Sequence, residues 1–71
     1  MIYTLQDDQG IMEQGSLKSC VLAVTNWLST REAKELYRVE ELRAAKQLFY
    51  AALETQTKKQ ISALGFTISA A

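Results

Sequence analysis

Few side chains in this chain of 71 residues have reactive potential. A nucleophilic cysteine needs a base or an electropositive setting to form thiolate. Cys20 is the single cysteine, there is no histidine to serve as that base, and Cys20 falls on an apolar stripe. It is therefore read as a small buried hydrophobe. Glu40 and Glu41 are adjacent on a helical segment and point apart, so they cannot act as a carboxylate pair on one substrate. Asp7-Asp8-Gln9-Gly10 is turn chemistry and lacks the length and distal glutamate of a calcium loop. A zinc site would need ligands that the chain does not have, and no glycine-rich phosphate loop occurs. These observations predict a protein with no catalytic residues, no metal and no cofactor.

Eight basic and eight acidic residues cancel. A balanced chain lacks the electrostatic footprint of a protein that binds nucleic acid through phosphates, and membrane-surface binding loses support for the same reason. Residues Met1 to Asp8 have no basic flank followed by an apolar core, as a secretory signal would. The apolar run from Cys20 to Val24 falls far short of the roughly 20 residues needed to span a membrane. A lone cysteine and no signal suggest a reduced, cytoplasmic setting.

Ile2 to Gln14 read as a β-hairpin: Ile2-Tyr3-Thr4-Leu5 favours strand, Asp7 to Gly10 favours a turn, and Ile11-Met12 resumes the apolar pattern. Gly15-Ser16 punctuates the chain and offers Ser16 as an N-cap. Leu17, Cys20, Val21, Val24, Trp27 and Leu28 then recur at the spacing of one helical stripe. The β-branched residues of this stretch leave a strand over 20–24 as the alternative.

Ser29-Thr30-Arg31-Glu32 has the form of a capping box, with Ser29 as N-cap of a second helix. Nine of the sixteen residues from Arg31 to Lys46 are charged with mixed sign, which describes a solvated face. With no proline or glycine before Gly65, this helix is predicted to continue, with a kink, to about Leu64, and Gly65 to cap it. Phe66 to Ser69 alternates like a short strand that adds to the hairpin edge. The expected fold is a single α+β domain over 1–71, in ββααβ order: hairpin, two antiparallel helices with the second long, and a C-terminal strand.

That long helix makes two apolar demands. Ala33, Leu36, Tyr37 and Ala44 cluster on one side, where the preceding helix can meet them, and Leu42, Ala45, Phe49, Ala52 and Leu53 cluster on another. Either the sheet or the same face of a second copy must cover the latter group. A chain this short buries only about 60% of its unfolded surface. Disulfide and metal staples are absent, so oligomerisation is the staple left. Leu42, Ala45, Phe49, Ala52 and Leu53 are accordingly expected to form a homodimer seam. Aromatic and arginine side chains are the usual interface anchors, which makes Trp27, Arg31, Tyr37 and Arg38 the candidate contacts for another protein, with Tyr50 beside them.

Trp27-Leu28-Ser29-Thr30-Arg31-Glu32-Ala33-Lys34-Glu35-Leu36-Tyr37-Arg38-Val39 resembles the opening of the helix-turn-helix in small excisionase-type regulators, over about a fifth of the chain. The resemblance implies a DNA-binding regulator with a degenerate helix-turn-helix at 28–47, in which Arg43 and Lys46 contact DNA. The chain departs from the pattern where the turn carries Arg38 in place of glycine, and where Glu40-Glu41 would repel phosphates. The preferred expectation is a small accessory or inhibitory protein that acts by binding another protein. Short chains without motifs are common among such proteins of bacteria and their viruses.

Overall fold

Turn chemistry and strand alternation set the two ends of the fold, and helix phase sets its middle. The computed structural model describes residues 1–56 and 59–70. Strands β1 (Tyr3–Asp7) and β2 (Gly10–Gly15) form the expected hairpin. The Asp7 carboxylate accepts the Gln9 N–H at 2.8 Å, an Asx turn that holds the two-residue loop. Gly10, at φ +131°, takes a conformation closed to other residues. Leu5 opposes Glu13 and Gln6 opposes Ile11, so Met12 is an extra residue that bulges the edge strand.

Helix α1 (Leu17–Leu28) begins at Ser16, whose Oγ accepts the Ser19 N–H at 3.0 Å. Its stripe is buried as expected at Leu17, Cys20, Val21, Val24 and Leu28. Thr25 joins this core because its hydroxyl donates to the Val21 carbonyl at 2.8 Å, which satisfies the one polar atom it brings.

The long second helix does not form as one piece. Helix α2 (Arg31–Leu36) stops, Tyr37 and Arg38 are extended, and helix α3 (Val39–Thr55) starts anew. The cap also lies one residue later than expected. Thr30 is the N-cap of α2 and accepts the Ala33 N–H at 3.3 Å, whereas Ser29 closes α1. Neither glycine nor proline causes the break. In an unbroken helix, Ala33 and Leu42 would point roughly 180° apart at 3.6 residues per turn. Both are buried, at 0% and 4% exposure. Two extended residues reset the phase, so that α2 buries Ala33 while α3 turns its own stripe inward. Glu41 makes the restart tolerable by accepting the Arg38 N–H at 3.2 Å.

Helix α3 ends at Gln56, which is left-handed at φ 51° and whose N–H reaches the Ala52 carbonyl. The predicted continuation to Leu64 is thereby replaced, and its passage through 57 and 58 lies outside the described residues. Strand β3 (Ile61–Ala63) forms instead and turns at Leu64-Gly65 into β4 (Phe66–Ala70). Leu64 at φ 52° and Gly65 at φ 84° give this two-residue hairpin loop the twist its strands need. The glycine read as a helix cap supplies the same left-handed backbone to a hairpin.

The sheet order is β2-β1-β4-β3, antiparallel throughout. The C-terminal strand does add to the hairpin edge, which places β1 and β4 at the centre. Leu5, Ile68 and Ile61 lie opposite one another across three strands on the face that the helices cover. Thr4, Gln14 and Ser69 fall on the other face, as do Gln6, Thr67 and Ser62. The hairpin, helices and C-terminal strand thus follow the expected α+β order, with the second helix split and a further strand before the last.

The residues expected to form a seam between copies are covered within the chain. Phe49 is fully buried, Leu42, Ala45 and Ala52 nearly so, and Leu53 is half-buried against the same core. The cover comes from α1 and β3, on which α3 packs. Of the group expected to meet α1, Ala33 is buried and Tyr37 half-buried, while Leu36 and Ala44 are exposed. The phase reset decides this division too, because it turns α2 and α3 independently. Among the described residues, no helix is long and apolar enough to cross a membrane.

Candidate interaction surface

The four expected partner contacts differ in burial. Trp27 is half-buried, its ring 5.1 Å from that of Phe66 and tilted by 56°. Such an edge-leaning aromatic pair belongs to core packing. Tyr37 is also half-buried, and its hydroxyl donates to the Leu64 carbonyl at 3.4 Å. Both aromatics therefore brace the β3–β4 hairpin against the helices. Arg31 and Arg38 are exposed, Arg31 at the start of α2 and Arg38 at the break.

One concavity lies on the outer side of α3. Val39, Leu42, Arg43, Lys46, Gln47 and Tyr50 line it from α3, and Lys34 lines it from α2. It encloses about 320 Å³, the lower end of the range for pockets that bind small ligands. Leu42 forms a buried floor, whereas Val39 is 62% exposed and Tyr50 46%. Lys34, Arg43 and Lys46 supply positive charge to this lining, which contains no carboxylate. In a chain whose charges balance overall, that is a local segregation of sign.

Sequence spacing does carry this surface. Val39, Arg43, Lys46 and Tyr50 fall within an arc of about 60° at 3.6 residues per turn. Mixed charge along 31–46 concealed it, because Glu40 and Glu41 project elsewhere on the same helix. Lys34 was not legible as a neighbour, since only the break at Tyr37-Arg38 brings α2 beside this arc. A second, shallower depression on the other flank of α3 is lined by Glu41, Ala44, Ala45, Leu48, Ala63 and Leu64.

Cys20 is fully buried, and its Sγ–H points to the Tyr3 carbonyl at 3.6 Å. Burial pushes the thiol above its ordinary pKa, the Glu13 carboxylate adds to the rise, and a backbone hydrogen bond at Leu5 opposes it. An inert core thiol is what this environment makes. Among the described residues, no group of three or more histidine, cysteine or acidic side chains is gathered as a metal site. Comparison with known protein families, with curated proteins and with solved structures finds no match.

Proposed function

We propose that this is a non-enzymatic accessory protein that binds another protein through the outer surface of α2 and α3. The observation that carries the reading is the exposed Val39 and Tyr50 beside the Leu42 floor, with the cations of Lys34, Arg43 and Lys46 in the same lining. Exposed aromatic and arginine side chains are the usual anchors of a protein interface. Masking or scaffolding follows from such a surface without chemistry, and a cytoplasmic location with Cys20 reduced belongs to the same proposal. Val39→Asp or Tyr50→Ala, each on the outside of the fold, should abolish capture of the partner while leaving thermal unfolding unchanged. Capture undiminished by both variants would remove this surface from the reading.

A homodimer, expected at first from the α3 stripe, has to use other residues in this proposal. Leu48 is 46% exposed and stands beside the small Ala44 and the Ala63-Leu64 turn. A second copy would meet α3 there, and light scattering of Leu48→Lys against the parent chain tests it.

One observation favours a DNA-binding regulator as the second reading. The break at Tyr37-Arg38 divides 28–47 into two short-linked helical pieces, the arrangement that the excisionase-type resemblance implies. Against it, α3 opens with Glu40 and Glu41, and its basic residues line a depression floored by Leu42. A regulator would retain duplex DNA with affinity falling steeply as salt rises; a protein-binding module would not.

A further inference from the structure

We infer that the occupant of the α2–α3 depression is an acidic amphipathic helix of the partner protein. This rests on the protein-binding reading and adds the chemistry of the segment that binds. Three properties of the surface select it. First, the lining offers three cations, Lys34, Arg43 and Lys46, and no carboxylate, so the complementary segment carries negative charge.

Second, the lining residues all come from helices. The backbone groups within those helices are already paired, so they give an extended peptide no ladder to join. A segment that leaves water here must satisfy its own backbone, which a helix does. Third, Val39 to Tyr50 is eleven residues along α3, or about 16 Å at 1.5 Å per residue. That is three turns, so apolar anchors of a facing helix at i, i+3 or i+4, i+7 and i+11 would run the length from Val39 past Leu42 to Tyr50. Carboxylates beside those anchors would meet Arg43 and Lys46, which lie between Val39 and Tyr50 along α3, and Lys34 of α2. Phosphate polymers fit less well, because the floor of the site is the apolar Leu42 and Glu40-Glu41 begins the same helix.

The probe is a capped synthetic peptide with leucines along one helical face and glutamates flanking them, labelled with fluorescein and titrated with the full chain by fluorescence anisotropy. Saturable binding is expected, weakened on the order of tenfold by Tyr50→Ala and by Arg43→Glu with Lys46→Glu. Circular dichroism should be unchanged for both. Arg43→Gln with Lys46→Gln provides a milder pair should charge reversal disturb folding. A peptide with lysine in place of glutamate, or one with the leucines scattered around the helix, should bind much more weakly. Equal binding of either control, indifference to the substitutions, or preference for duplex DNA would overturn the inference.

A photo-crosslinker in place of Tyr50 separates the two levels. Crosslinking in cells to a protein whose binding ignores charge reversal at Arg43 and Lys46 would overturn the acidic helix and leave the protein-binding reading standing. No crosslinked protein at that position would overturn both.

Discussion

The apolar residues of α3 point in several directions and meet opposite fates. Leu42, Ala45, Phe49 and Ala52 are sealed against α1 and β3, whereas Val39, Leu48 and Tyr50 remain open to solvent. Phe49 and Tyr50 are neighbours in sequence, yet one is fully buried and the other nearly half exposed. The contrast teaches that apolar residues spread around a helix need not signal a second subunit. A small domain can meet one apolar demand internally by dividing the helix, and leave other apolar residues exposed.

The sharpest way to break the comparison is to truncate both neighbours. Phe49→Ala should cost about 3–5 kcal/mol, a large share of the margin of a domain this small, and should show as loss of a cooperative transition in urea. Tyr50→Ala should stay within about 0.5 kcal/mol in the same experiment while losing the partner. Similar destabilisation by both would mean that the outer face is structural.

The break between α2 and α3 permits a second, smaller test. Glu41→Ala removes the acceptor of the Arg38 N–H and should cost about 1 kcal/mol, measured as a lower denaturation midpoint with an unchanged slope. Thr30→Ala should cost a similar amount, about 1 kcal/mol. Its hydroxyl donates to the Trp27 carbonyl at 2.7 Å as well as accepting from Ala33. Ser29→Ala should cost less, because Ser29 donates to Thr25 at the end of α1 and does not start α2. The reverse order of Thr30 and Ser29 would restore the boundary expected from sequence.

The smallest effect concerns Cys20 and the tightness of the sealed side. Its folded pKa is raised, while the unfolded chain titrates near the ordinary value of about 8.5. The unfolded state therefore loses the proton first, and the contribution of the thiol to stability falls as pH rises from that value through the folded pKa. Thermal melts of the chain and of Cys20→Ala should show a difference that shrinks above pH about 8.5, and thiol reagents should label Cys20 only on unfolding.

Much of the architecture was legible because it rests on local signals. Asp7 to Gly10 dictated a turn, Ser16 and the Leu17 to Leu28 stripe dictated α1, and the alternation from Phe66 dictated β4. Residues 61–65 misled because their signals are shared. Ile61 and Leu64 fit a helical spacing, and Gly65 serves a helix cap or a hairpin loop with the same left-handed backbone. Only pairing of Ile61 with Ile68 and of Ala63 with Phe66 selects the strand. Among the candidate contacts, aromatic type pointed to Trp27 and Tyr37, which are half-buried beside Phe66 and the Leu64 carbonyl. The arc through Val39, Arg43, Lys46 and Tyr50 was present in the spacing and hidden by the acidic residues beside it.

By itself the sequence determined that the segment from Ser29 to Leu53 is helical in propensity and apolar in more than one direction, since both follow from residue type and spacing. Only the tertiary structure decided that the segment is two helices. Ala33 and Leu42 lie on opposite sides of any continuous helix, and one small core can bury both only where two extended residues at Tyr37 and Arg38 reset the phase.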